Sequence, residues 1–161
     1  MYRTILLLSF AAAFAVSAPA QTMRSQLMGV WSGSGKSNGL AAAATQTWSS
    51  ELGNRFLKLE SRMKLQMPDG KISRFEGDAY YPAKLPCPCK ATWFDTNGDV
   101  YEIRAEESEG KLIAEWGPPG EVKGRTEYRL TSPQTLEVTD WFKTKDGTWR
   151  EFARLSFQRQ Q

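Results

Sequence analysis

Cys87 and Cys89 are the only cysteines in the sequence, and a single proline separates them. Two thiols so close in an oxidising compartment do not both stay free. The pair reads as a local disulfide, a labile redox pair, a two-thiolate site for a soft metal such as Cu(I), or a thiol that bonds another molecule. The ring that a Cys-x-Cys disulfide closes is small and strained, which makes it reducible. The sequence contains no histidine. That excludes Ser-His-Asp and Cys-His catalysis and every imidazole-ligated metal, including His-bound haem iron. Acid–base work near neutral pH would fall to carboxylates, Lys or Tyr. Glu106 and Glu107 are adjacent, so on a strand they point to opposite faces and share no site. Asp95-Thr96-Asn97-Gly98-Asp99 has part of the spacing of a Ca²⁺ loop. Its twelfth position falls on Glu106 with a strand in between, so the segment reads as turn chemistry. No catalytic residue, metal or cofactor is expected, and the chain is read as non-enzymatic.

The other chemistry is aromatic. Trp48, Phe75, Tyr81, Trp93, Tyr101, Trp116, Tyr128 and Trp141 fall on the less charged sides of their segments. They would either line a cavity for a small apolar or aromatic ligand or fill a core. In a cavity, indole N–H and phenol O–H groups would supply a few oriented polar contacts. A barrel of eight strands is just wide enough to be filled by side chains; more strands leave more room.

The segments that must position these residues alternate apolar and polar side chains, with Gly, Asn, Asp or Pro between them. Strands are predicted over residues 27–36, 45–52, 55–67, 72–81, 90–95, 100–107, 111–116, 124–130, 135–143 and 148–158. Within the third, Leu57, Leu59, Met63, Leu65 and Met67 share one face; Lys58, Glu60, Arg62 and Lys64 share the other. Pro68-Asp69-Gly70, Asn97-Gly98 and Asp146-Gly147 are turn signals. The alanine run Ala41 to Ala44 is expected to be a small-residue connection. About ten strands in sequence, with no amphipathic helix between them, predict an all-β, antiparallel up-and-down meander, and closure into a barrel removes its exposed edges. The outward faces are charged, so the barrel belongs in water and not in an outer membrane.

Residues 1–20 read as a cleavable signal peptide: Arg3, an apolar run over 5–16, and Ala18-Pro19-Ala20 as the small-x-small cleavage site. The mature chain, 21–161, is one domain, exported through the general secretory route to a periplasm or beyond it. No later apolar run is long enough to span a bilayer, so no stable membrane insertion is expected after cleavage. The whole sequence carries 21 Lys and Arg against 18 Asp and Glu, mixed along the chain, which argues against nucleic acid as a partner.

The Gly29-x-Trp31-x-Gly33-x-Gly35 start and the meander that follows resemble the calycin group, lipocalins above all. They are similar also to small secreted bacterial lipocalin-like proteins of unassigned function, with which Trp93-Phe94-Asp95-x-x-Gly98 shares a Trp-x-Asp-x-x-Gly hairpin. The Gly-x-Trp-x-Gly-x-Gly form resembles nitrobindin-type haem barrels as well, but those hold iron through a His, which this chain lacks. The lipocalin disulfide pattern is absent too. The resemblance implies that Trp31 closes the base of the barrel beneath a late arginine, either Arg154 or Arg159. The function it implies is binding of a small, mostly apolar ligand inside the barrel. The alternatives are a packed-core envelope interaction or stress-related module that acts through loops at 85–90 or 115–123, and a Cys87/Cys89 redox or soft-metal protein.

Overall fold

The computed structural model describes residues 22–84 and 86–161. The predicted signal segment and Leu85, in one of the predicted loops, lie outside the described residues.

A short helix, α1 (Met23–Leu27), precedes ten strands: β1 (Gly29–Ser37), β2 (Leu40–Glu51), β3 (Phe56–Gln66), β4 (Ile72–Pro82), β5 (Cys89–Asp95), β6 (Val100–Ser108), β7 (Lys111–Gly117), β8 (Gly124–Ser132), β9 (Thr135–Lys143) and β10 (Trp149–Arg159). Each strand pairs antiparallel with the next, and β1 pairs with β10, so the sheet closes into a meander barrel. The all-β class and the order of the strands match the reading of the sequence.

Two boundaries differ. The predicted first strand begins inside α1, whose N-cap Thr22 accepts a hydrogen bond from the Ser25 amide. The predicted connection through Ala41 to Ala44 is strand, because Asn38 and Gly39 complete the turn by themselves. Their φ values of 49° and 78° are both positive, as a two-residue hairpin turn of type I′ requires. The alanines then pair with the glycines of β1, Ala44 with Gly33 and Ala42 with Gly35.

Small residues matter at this seam. A Cβ on Gly33 would stand 2.4 Å from the Ser156 carbonyl oxygen, and one on Gly35 2.0 Å from that of Arg154. The bare backbone of β1 is what lets β10 come close enough to close the ring.

The hairpins alternate between two ends. At the base, Met23 and Leu27 of α1 are buried with Trp31, Leu59, Leu112, Leu136 and Phe157. The Trp31 indole N–H donates to the Leu27 carbonyl at 2.7 Å. Arg24 is 1% exposed; it donates to Glu107 and, at 2.6 Å, to the Pro82 carbonyl, which pins the helix across two base hairpins. The outer wall carries ion pairs. Lys58 meets Asp78 at 3.0 Å and Arg62 meets the same carboxylate at 2.8 Å.

Candidate functional site

The end opposite α1 is the mouth, and a cavity of about 410 Å³ runs from it into the barrel. Its rim carries Ser37, Asn38, Arg74 and Asn97; its wall carries Phe75, Tyr81, Trp93, Tyr101, Trp116, Tyr128 and Phe152 with Met63, Leu65, Ile103, Val138 and Leu155. Six of the eight predicted interior aromatics are in that wall. Trp48 is buried instead in the floor, 5.6 Å from the Tyr81 ring and 5.5 Å from that of Tyr128.

Trp141 corrects the prediction outright. On β9 Leu136 and Val138 face inward, so the two-residue period turns Asp140 inward as well and sends Trp141 outside. There Trp141 and Trp149 flank the Arg125 guanidinium, at 4.7 and 4.9 Å from their ring centroids. The aromatic weight of the Trp141 side chain suggests the interior, but an arginine between two indoles is also a good place for it.

The aromatic wall is built as an arc. Phe75 on β4 stacks on Trp93 of β5 with planes 21° apart, and Tyr101 on β6 stacks on Trp116 of β7 at the same angle. Trp93 and Tyr101 are themselves cross-strand partners. Glycine makes the room: a Cβ on Gly77 would stand 1.9 Å from the Trp93 ring, and one on Gly124 2.1 Å from that of Trp116. The two indoles therefore lie flat against bare backbone, and the middle of the barrel stays open.

Polar groups fix the rings. Trp93 Nε1 donates to Asp95 at 3.0 Å, and the Tyr101 hydroxyl donates to Asp99 at 2.9 Å. The other Asp95 oxygen accepts from the Asn97 amide at 2.9 Å and the Asp99 amide at 3.2 Å, so this segment is an aspartate-capped turn, as its sequence suggests. Trp116 Nε1 donates to Thr126 Oγ1 at 3.2 Å, and that hydroxyl donates to Asp140 Oδ1 at 2.5 Å. Desolvation pushes the Asp140 carboxyl up to about 6, against the Thr126 hydrogen bond, which holds it down. Burial raises Tyr81 and Tyr128 far above the ordinary phenol range, which keeps both neutral.

Asp140, Thr126 and Gln46 are cavity residues that the sequence reading does not single out. The period-2 pattern carries the signal for Asp140. Gln46 lies within a predicted strand, but a polar amide gives no sign that its side of the strand faces inward.

The base settles the choice of arginine. Arg159, not Arg154, lies over Trp31, with its guanidinium carbon 4.1 Å from the ring centroid. It also donates to the carbonyls of Met28, of Gln26 at 2.6 Å and of Pro133 at 3.1 Å. Arg154 sits on the outer face and pairs with Glu151 at 2.6 Å. Cys87 and Cys89 lie at the base by α1, away from the cavity lining. Their sulfurs stand 2.6 Å apart. In the reduced form, burial, with the Cys89 thiol as a second cause, pushes the Cys87 thiol up to about 12, which makes it a poor nucleophile at neutral pH. Among the described residues no cluster of three or more Cys, Asp or Glu could hold a metal.

No protein-family model matches the chain, and no curated protein matches it. Solved structures do. Rv2717c from M. tuberculosis superposes with a TM-score of 0.60 at 15% identity, over 85% of this chain and 94% of its own. A de novo designed fluorescence-activating beta barrel gives 0.44 at 20% identity, over 88% and 100%. EF1p2_mFAP2b bound to DFHBI gives 0.45 at 14%, over 87% and 100%. At such identity the likeness to Rv2717c concerns the fold alone, which is the same kind of β-barrel.

Proposed function

We propose that this chain is an exported, non-enzymatic, lipocalin-like barrel that binds a small, mostly apolar or aromatic ligand in its interior. The observation that carries the reading is the 410 Å³ cavity, walled by stacked aromatic pairs, reaching the rim at one end and closed at the other. A barrel evolved only for stability would fill the positions of Gly77 and Gly124 with larger side chains; here they hold the indoles back from the axis. Trp31 beneath Arg159, with α1 as a plug, supports the lipocalin-like reading of the base. Export rests on the sequence of residues 1–20, and an intact mass beginning at Gln21 in an extracytoplasmic fraction is its test.

Ligand binding is tested by titrating the mature protein with a neutral aromatic probe, 2-(methoxymethyl)naphthalene, while following Trp emission. Saturable quenching is expected, and Trp93→Ala weakens it about tenfold, the worth of one lost aromatic contact of roughly 1.4 kcal/mol. Equal affinity in the parent, Trp93→Ala and Trp116→Ala would move the ligand out of this cavity. Native mass spectrometry of protein purified from its own envelope then identifies the class of any molecule it retains.

A further inference from the structure

Two acceptors of the cavity are short of donors: a carboxylate and an amide oxygen. Asp140 is set into the wall by β9, and Thr126 is its one hydrogen-bond donor among the described residues. No cationic side chain offsets it; the charged groups of the lining are Asp140, Asp95 and, at the rim, Arg74. Asp95 is already occupied by Trp93 and its own turn. A second acceptor lines the same cavity independently. Gln46 is 5% exposed, and its Oε1 is buried with no hydrogen-bond partner. Buried acceptors without donors are costly, and a sheltered carboxylate without a cation more so. A ligand that brings N–H donors and positive charge relieves both.

We propose that the cavity takes a compact aromatic amine, with its ring in the arc of Phe75, Trp93, Tyr101 and Trp116 and its protonated nitrogen on the Asp140 carboxylate. The inference rests on the ligand-binding reading above and names its ligand class. The aromatic arc contributes in the same direction, since the faces of indole and phenol rings attract a cation in a desolvated site. An ammonium on a carboxylate is a charge-assisted hydrogen bond, stronger than any neutral pair the cavity offers. The described residues gather no cluster of three or more carboxylates or thiols that could hold a metal cation there.

The test compares three probes of one shape on the unmodified mature protein near neutral pH: 2-naphthylmethylamine, 2-(methoxymethyl)naphthalene and 2-naphthoate. The amine is expected to bind about tenfold tighter than the neutral ether, and the carboxylate weaker than the ether. Asp140→Asn keeps the shape and a polar partner for Thr126. It is expected to bring amine and ether to within about twofold of each other. If the ether binds saturably and the amine is no tighter, the amine inference is overturned and the aromatic cavity stands. If none of the three binds, the cavity reading falls and the inference falls with it. The probe series on the parent protein decides the question even if the variant fails to fold.

Discussion

At the scale of single residues, Asp140 does the most. Its carboxyl titrates at about 6 in the folded chain against an ordinary 3.8, so the folded state binds the proton more tightly than the unfolded state. The stability this group contributes is therefore full below about pH 4, falls as pH rises to about 6, and stays lost above that. The shift corresponds to roughly 2–3 kcal/mol. Asp140→Asn removes the charge that causes this loss. The variant should be more stable than the parent by about 2 kcal/mol at neutral pH, with urea curves that converge near pH 4. Parallel curves across that range would mean the carboxylate is well solvated. A carboxylate that weakens the fold and meets no cation inside it is best explained by a task other than folding. Its inward position is legible in the alternation of Leu136 and Val138, but the pull of Trp141 as an aromatic overrides the period.

At the scale of elements, the closing seam between β1 and β10 depends on bare backbone. Gly35→Val would drive a side chain into the Arg154 carbonyl, where even a Cβ comes within 2.0 Å. A loss of about 2 kcal/mol or more is expected, read as a lower midpoint in denaturant, with the strand pair opening first in hydrogen exchange. The glycine pattern of the first strand is visible in the sequence as a bend signal. What these glycines admit is a second backbone, and that partner comes from the far end of the chain. The run Ala41 to Ala44 misleads because alanine is a poor strand former by itself; here it pairs along β1, opposite Gly33 and Gly35.

At the scale of the whole molecule, Arg159 ties the two ends of the described chain together. Its guanidinium covers Trp31 and reaches carbonyls on α1, before β1 and before β9. Arg159→Ala is expected to cost about 2–4 kcal/mol by thermal unfolding, because it leaves several acceptors without donors. Arg154→Ala, which removes an exposed pair with Glu151, should cost less than about 0.5 kcal/mol. Equal effects would refute the role given to Arg159 at the base. From the sequence alone came the all-β class, the ten-strand meander, the charged outer face of β3 and most of the aromatic lining. These follow from a period of two and from turn residues, both local properties of the chain. Only the tertiary structure decided which arginine covers Trp31, that Trp141 lies outside, and that Asp140 and Gln46 share a cavity. It decided also that Gly77 and Gly124 receive the indoles. Each of these depends on how strands distant in sequence are brought into register by closure, and no local pattern encodes that distance.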